Sequence, residues 1–177
     1  MSNILTSFKL HRILVFLLSL SSPALAGNEG MQSNYFEKAK SYTVKVRTRV
    51  EFPFGKDKRG SFSGAGFLID REAGWIVTNA HVSSRNPANI EIAFKGENFI
   101  DARLYYIDQL LDLAVLQLAT DKIPIRAEEA QLECIKKSVI GSPVGAFGHP
   151  FSLSFSGTRG IVSGERYRWN RYWVQTD

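Results

Sequence analysis

Alternation is the feature that most constrains this chain. From Tyr42 to Phe52, Val44, Val46, Thr48 and Val50 fall on one side, and Thr43, Lys45, Arg47, Arg49 and Glu51 fall on the other. A period of two over that length marks a half-buried strand. Pro53 to Gly60 is a basic loop, punctuated by glycine and proline, that ends it. Further short runs follow at Ser61 to Asp70, at Trp75 to Val77 after the Arg71–Gly74 turn, and at Asn89 to Phe94. Two more are Asn98 to Ile107, beyond the turn Lys95-Gly96-Glu97, and Asp112 to Leu118. Gly64 and Gly66, inside the second run, predict close backbone approach or a barrel bend. Six short strands with tight turns and no long helix predict an all-β fold closed into a barrel, which leaves no exposed edge.

The first residues read as a targeting segment. Lys9, His11 and Arg12 form a basic start, Ile13 to Leu20 an apolar run, and Ala24-Leu25-Ala26 a small-residue cleavage site before Gly27. That pattern predicts export and removal of residues 1–26, and the apolar run is too short to span a bilayer. No cysteine follows the cleavage site, so neither a lipoprotein anchor nor any other stable membrane anchor is expected. The remaining 151 residues carry 20 basic and 17 acidic side chains, a surplus too small and too scattered for a dedicated nucleic-acid binder. The single Cys134 has no partner for an internal disulfide, which fits a bacterial periplasm better than a stapled secreted domain.

Two residues stand out chemically. His81 follows the Trp75–Val77 run through Thr78, Asn79 and Ala80, so a strand end can hold its imidazole open to a cleft. Asp112 comes 31 residues later, set against the apolar Leu113-Ala114-Val115-Leu116. A carboxylate beside such a strand needs hydrogen bonds or a cation, and an imidazole is a natural partner. Asp108 is the rival, but Gln109 follows it and it reads as a solvated turn residue. Histidine then aspartate along an all-β chain is two thirds of a Ser-His-Asp triad. His149, between Gly148 and Pro150, reads as a surface turn. Arg159, Arg166, Arg168 and Arg171, interleaved with Tyr167, Trp169, Tyr172 and Trp173, read as a hairpin with solvated arginines rather than a nucleic-acid patch. Three histidines and one cysteine give no metal-ligand spacing, and no phosphate or dinucleotide fingerprint calls for a cofactor.

Thr78-Asn79-Ala80-His81-Val82 and Asp112-Leu113-Ala114-Val115-Leu116 resemble the histidine and aspartate motifs of trypsin-like serine proteases, with the HtrA/Deg branch nearest. Gly64-Ala65-Gly66-Phe67-Leu68-Ile69 resembles the strand before that histidine. Val144 to Phe151, Gly160-Ile161-Val162-Ser163 and Val174-Gln175-Thr176-Asp177 resemble the opening strands of the family's second barrel. The resemblance runs in the family's order from about Gly60 to Asp177. It implies a double β-barrel in which His81 is the general base and Asp112 its orienting partner. It also implies polypeptide substrates, unfolded or misfolded proteins among them, and is compatible with an oligomer. The expected organisation is a targeting segment over 1–26, a first barrel with its lead-in over 27–118, a connector over 119–138 and the start of a second barrel over 139–177. The lead-in is expected to hold one helical turn around Tyr35 to Lys40, and the connector to be partly helical at most. Strands at Pro143–Phe147, Thr158–Glu165 and Arg171–Thr176 make about half of a second barrel.

In the family the nucleophile sits in a Gly-Asn-Ser-Gly-Gly type turn shortly after the position of Asp177. The expectation is therefore a fragment with histidine and aspartate but no nucleophile, inactive by itself. None of Ser138, Ser142, Ser152, Ser154, Ser156 or Ser163 sits in such a turn. The alternative is a degenerate homologue that serves as a binding or regulatory module. Intact His81 and Asp112 motifs favour the enzyme lineage, because a long-inactive copy has no reason to keep them.

Overall fold

The computed structural model of the chain describes residues 26–55, 57–133, 139–150, 153–168 and 171–177. Except for Ala26, the expected targeting segment lies outside the described residues, as does Cys134.

The alternating run becomes β1, Thr43–Val50. Its inward side chains Val44, Val46, Thr48 and Val50 are all buried. β2 (Gly60–Asp70), β3 (Trp75–Thr78), β4 (Ala88–Phe94), β5 (Ile100–Asp108) and β6 (Leu113–Gln117) join it in a closed antiparallel barrel of order β1-β2-β3-β6-β5-β4. β1 closes the ring, since Val44 faces Gly66 of β2 on one side and Phe94 of β4 on the other. Gly66 serves the expected close approach: a β-carbon there would lie 2.8 Å from Ile76 Cγ2. Leu68, Ile76, Ile92 and Leu116 fill the interior with no exposure at all. Burying each such side chain stabilises the fold by roughly 1.5–3 kcal/mol.

The polar connector does more than link. It opens with a single 3-10 turn, Thr120–Lys122, and makes a second turn in which the Ala127 N–H donates to the Pro124 carbonyl at 2.9 Å. Ile123 and Ala127 are buried in the barrel core. Arg71 holds the segment down, donating from Nη1 to the Ala127 carbonyl at 2.9 Å and from Nη2 to that of Ile123 at 3.2 Å.

The lead-in departs from expectation. It forms α1, a helix over Ala26–Tyr42, rather than one turn. No apolar stripe announces it; Phe36 anchors it by a distant contact. β-carbons added at Gly145 and Gly157 would lie 3.2 Å and 2.7 Å from Phe36 ring atoms, so these two glycines form the slot that receives the ring.

Those glycines belong to a second sheet built from β7 (Pro143–Gly148), β8 (Ser156–Arg168) and β9 (Arg171–Thr176), in that order and antiparallel. It is the opening part of a second barrel, and Ile161, Trp173 and Val174 on it are exposed. Phe36, Phe147, Phe155 and His149 form a chain of rings between helix and sheet, with centroids 6.1, 6.4 and 4.5 Å apart.

His149 is not the surface turn residue expected. It is half-buried, edge-on to Phe155, and its Nδ1 accepts the Phe155 backbone N–H at 3.1 Å. Only an unprotonated Nδ1 can accept that bond. Burial, aided by the charge of Lys45, pulls the imidazole below the ordinary histidine value. An unfolded histidine takes its proton near pH 6.5, whereas this one waits for a lower pH. Its contribution to stability is therefore complete above about pH 6.5 and is lost as the pH falls through the folded value. Urea unfolding at stepped pH is expected to show wild-type stability falling across that interval more steeply than the stability of His149→Asn. Equal slopes would contradict this account.

Candidate active site

β3 ends at Thr78, whose hydroxyl donates to the Ala65 carbonyl at 2.8 Å. Asn79 stays extended and its carbonyl then accepts the N–H groups of Val82 and Ser83, starting α2, the single helical turn Ala80–Ser83. His81 thus sits on a helical turn just past the strand, not on the strand end. Ala80, Val82 and Ser83 point inward and are buried, which leaves the His81 side chain 71% exposed. The turn seats closely on β2 because Gly64 has no side chain: a β-carbon there would lie 2.5 Å from Val82 Cγ2.

Asp112 occupies the turn between β5 and β6, with φ at 51°, in the left-handed region. That conformation turns the chain before Leu113 enters the strand, so the carboxylate stays at the rim and its side chain is 42% exposed. It is not the desolvated group its apolar neighbours suggest. Asp108 caps the same turn, accepting the Leu111 N–H at 2.8 Å, and does not contact the imidazole.

Three groups converge on Asp112. His81 Nδ1 lies 2.8 Å from Oδ2 and 3.0 Å from Oδ1, and the His81 backbone N–H donates to Oδ1 at 3.0 Å. Asn79 Nδ2 donates to both Oδ2 and the Asp112 carbonyl, each at 3.1 Å. Burial pushes the carboxyl up, but the His81 amide and ring together with Asn79 outweigh it and hold the group below the usual carboxylate value. With Nδ1 committed to Asp112, the neutral ring carries its basic lone pair on Nε2. The arrangement can take up a proton at Nε2 and stabilise the resulting imidazolium. Both residues border an open cleft of about 610 Å³, shared with Lys58, Phe62, Arg85 and Gln109 among others.

A family model for the trypsin-like peptidase domain matches residues 64–177. The chain belongs to the trypsin-like peptidase family. Its relatives lie in the HtrA/DegP branch. It is 33% identical to serine protease HTRA1 of Xenopus laevis over 132 residues, covering 72% of this chain and 27% of that protein. With periplasmic serine endoprotease DegP of Escherichia coli K12 it shares 29% identity over 109 residues, or 62% of this chain and 22% of DegP. Among solved structures it matches a serine endoprotease from Yersinia pestis with a TM-score of 0.58 and 26% identity, covering 73% of this chain and 44% of that one. The chain thus spans about a quarter of the length of the curated relatives it matches. The solved structure agrees with the all-β reading: a trypsin-like double barrel, with the first barrel closed and the second present in part.

His81 and Asp112, the two residues singled out by sequence, are brought together by the fold. Asn79, which stands two positions before the histidine, has no role in the sequence reading beyond its place in the motif. An amide so close to a candidate base is a usable signal, since it can orient the partner carboxylate from the same turn. The contact between Asp57 and Arg85 left none, being 28 residues apart in a loop and a turn of no fixed pattern.

The shared His81–Asp112 hydrogen is expected to appear as a downfield imidazole proton in NMR and to be absent in Asp112→Asn. Because the carboxyl is held low, the carboxylate that accepts this hydrogen is fully formed above about pH 4 and is lost only as the pH falls through the lowered value. Loss of the signal already at pH 5 or above would contradict the geometry.

Proposed function

We propose that this chain carries the general base and the orienting carboxylate of an exported serine endopeptidase that cuts polypeptides through a Ser-His-Asp triad. His81 takes the serine hydroxyl proton on Nε2 and returns it to the leaving amine. Asp112 fixes the Nδ1–H tautomer and stabilises the imidazolium between those two transfers. The observation that carries this reading is the 2.8 Å contact of His81 Nδ1 with Asp112 Oδ2 at the mouth of an open cleft. In the proposed organisation, residues 1–26 direct export and 27–118 supply the base and carboxylate. Residues 119–138 connect to the start of a second barrel over 139–177. Periplasmic location is supported by the N-terminal pattern and by relatives that bear the name periplasmic serine endoprotease. Mass spectrometry of the exported protein is expected to find Gly27 at its N-terminus, and an uncleaved Met1 product would refute the export signal.

The nucleophile is not among the residues described beside the imidazole. Ser84 borders the cleft, but its hydroxyl accepts from both the backbone and the side chain of Asn86. These 177 residues by themselves are therefore expected to hydrolyse neither casein nor a fluorogenic peptide above the level of a His81→Ala control. Turnover that vanishes in the control would reveal a nucleophile within the chain. Nucleotide sequence read past the Asp177 codon is expected to run into a glycine-flanked serine turn. A stop codon there would leave a non-catalytic binding module instead.

A further inference from the structure

One wall of the His81 cleft is built by contacts that play no part in the proton transfer. Asp57, on the loop after β1, accepts two hydrogen bonds from Arg85: Nε to Oδ2 at 2.7 Å and Nη2 to Oδ1 at 3.0 Å. A planar fork on a carboxylate fixes orientation as well as distance. Asn86 is 7% exposed and joins them. Its Nδ2 donates to Asp57 Oδ2 at 3.0 Å, while its Oδ1 accepts the Phe54 N–H at 2.5 Å. Ser84 holds Asn86 in turn, its hydroxyl accepting the Asn86 backbone N–H at 3.1 Å and Nδ2 at 2.9 Å. Ser84 has φ at 63°, a conformation that persists in an L residue only where surrounding contacts impose it. The β1–β2 loop is thereby clasped to the turn that leaves the helix of His81.

The clasp settles the charge of that wall. Asp57 is engaged by Arg85 and Asn86, as Asp112 is by His81 and Asn79. Lys58 also borders the cleft, and among the described residues no ion pair includes it. The geometry points to Asp57 and Arg85 as specificity-determining residues: their ion pair fixes the wall so that Lys58 selects polypeptide segments with an acidic side chain near the bond to be cut. This rests on the reading of His81 as a peptidase base. A rim ammonium gives roughly a two- to fivefold preference, the scale of an exposed ion pair, and salt weakens it.

The test measures binding rather than hydrolysis, so its failure is separable from failure of the His81–Asp112 reading, which has its own proton signal and assay. Two capped peptides of equal length, one bearing glutamates where the other bears lysines, are titrated into the nitrogen-labelled chain at low salt. The amide shifts of Lys58, Phe62 and His81 are followed. Tighter binding of the glutamate peptide is expected, with the order reversed in Lys58→Glu. The double variant Asp57→Ala/Arg85→Ala keeps the net charge of the wall but removes the clasp, and is expected to lose the discrimination. Unchanged amide shifts at Ile76 and Leu116 will show that its barrel is folded. Equal binding of both peptides, binding of neither, or discrimination that survives in the double variant would each overturn the proposal.

Discussion

The antiparallel register of β3 against β6 decides where the chemistry falls. Trp75 pairs with Gln117 and Thr78 with Ala114, so β3 finishes beside the start of β6. A histidine three residues beyond Thr78 and an aspartate two residues before Ala114 then have to meet at one rim of the barrel. A slip of one residue would flip every side chain of β3 between core and surface. Ile76 and Leu116, opposite each other with no exposure, hold the register in place. The same apolar contacts that close the core therefore aim the imidazole.

The polar contacts at the rim serve orientation more than stability. His81 and Asp112 are 71% and 42% exposed, and a polar contact so open to water adds little to folding. What the site gains is a defined tautomer. Asn79 and the His81 amide fix the carboxylate from the strand end and from the turn, and the carboxylate then fixes the ring. Each anchor is short in sequence and tied to a strand of the closed barrel, so the imidazole inherits the rigidity of the barrel.

The barrel was legible because its strands alternate. Val44, Val46, Thr48 and Val50 declare an inner face in the sequence and occupy it in the structure. Helix α1 was not legible, since what holds it is Phe36 in a slot made of glycines from β7 and β8. A slot of missing side chains leaves no pattern near the helix it receives. The half-burial of His149 escaped for the same reason, being set by Phe155 and the ring chain rather than by its glycine and proline neighbours. Asp112 misled in the other direction: its apolar neighbours suggested burial, while a left-handed backbone at that one residue turns it to the rim.

The anchoring of α1 also has a consequence for the order in which the molecule assembles. The helix comes first in the chain, but the glycines that receive Phe36 lie more than a hundred positions further on. The barrel of β1 to β6 can close on contacts made within its own residues, whereas the helix has no finished seat until β7 and β8 have paired. In a chain emerging N-terminus first, Phe36 is thus made early and covered late. The contact that joins the first described element to the last sheet closes a loop of more than a hundred residues, an entropic cost that the neighbouring strands of the barrel do not meet when they pair.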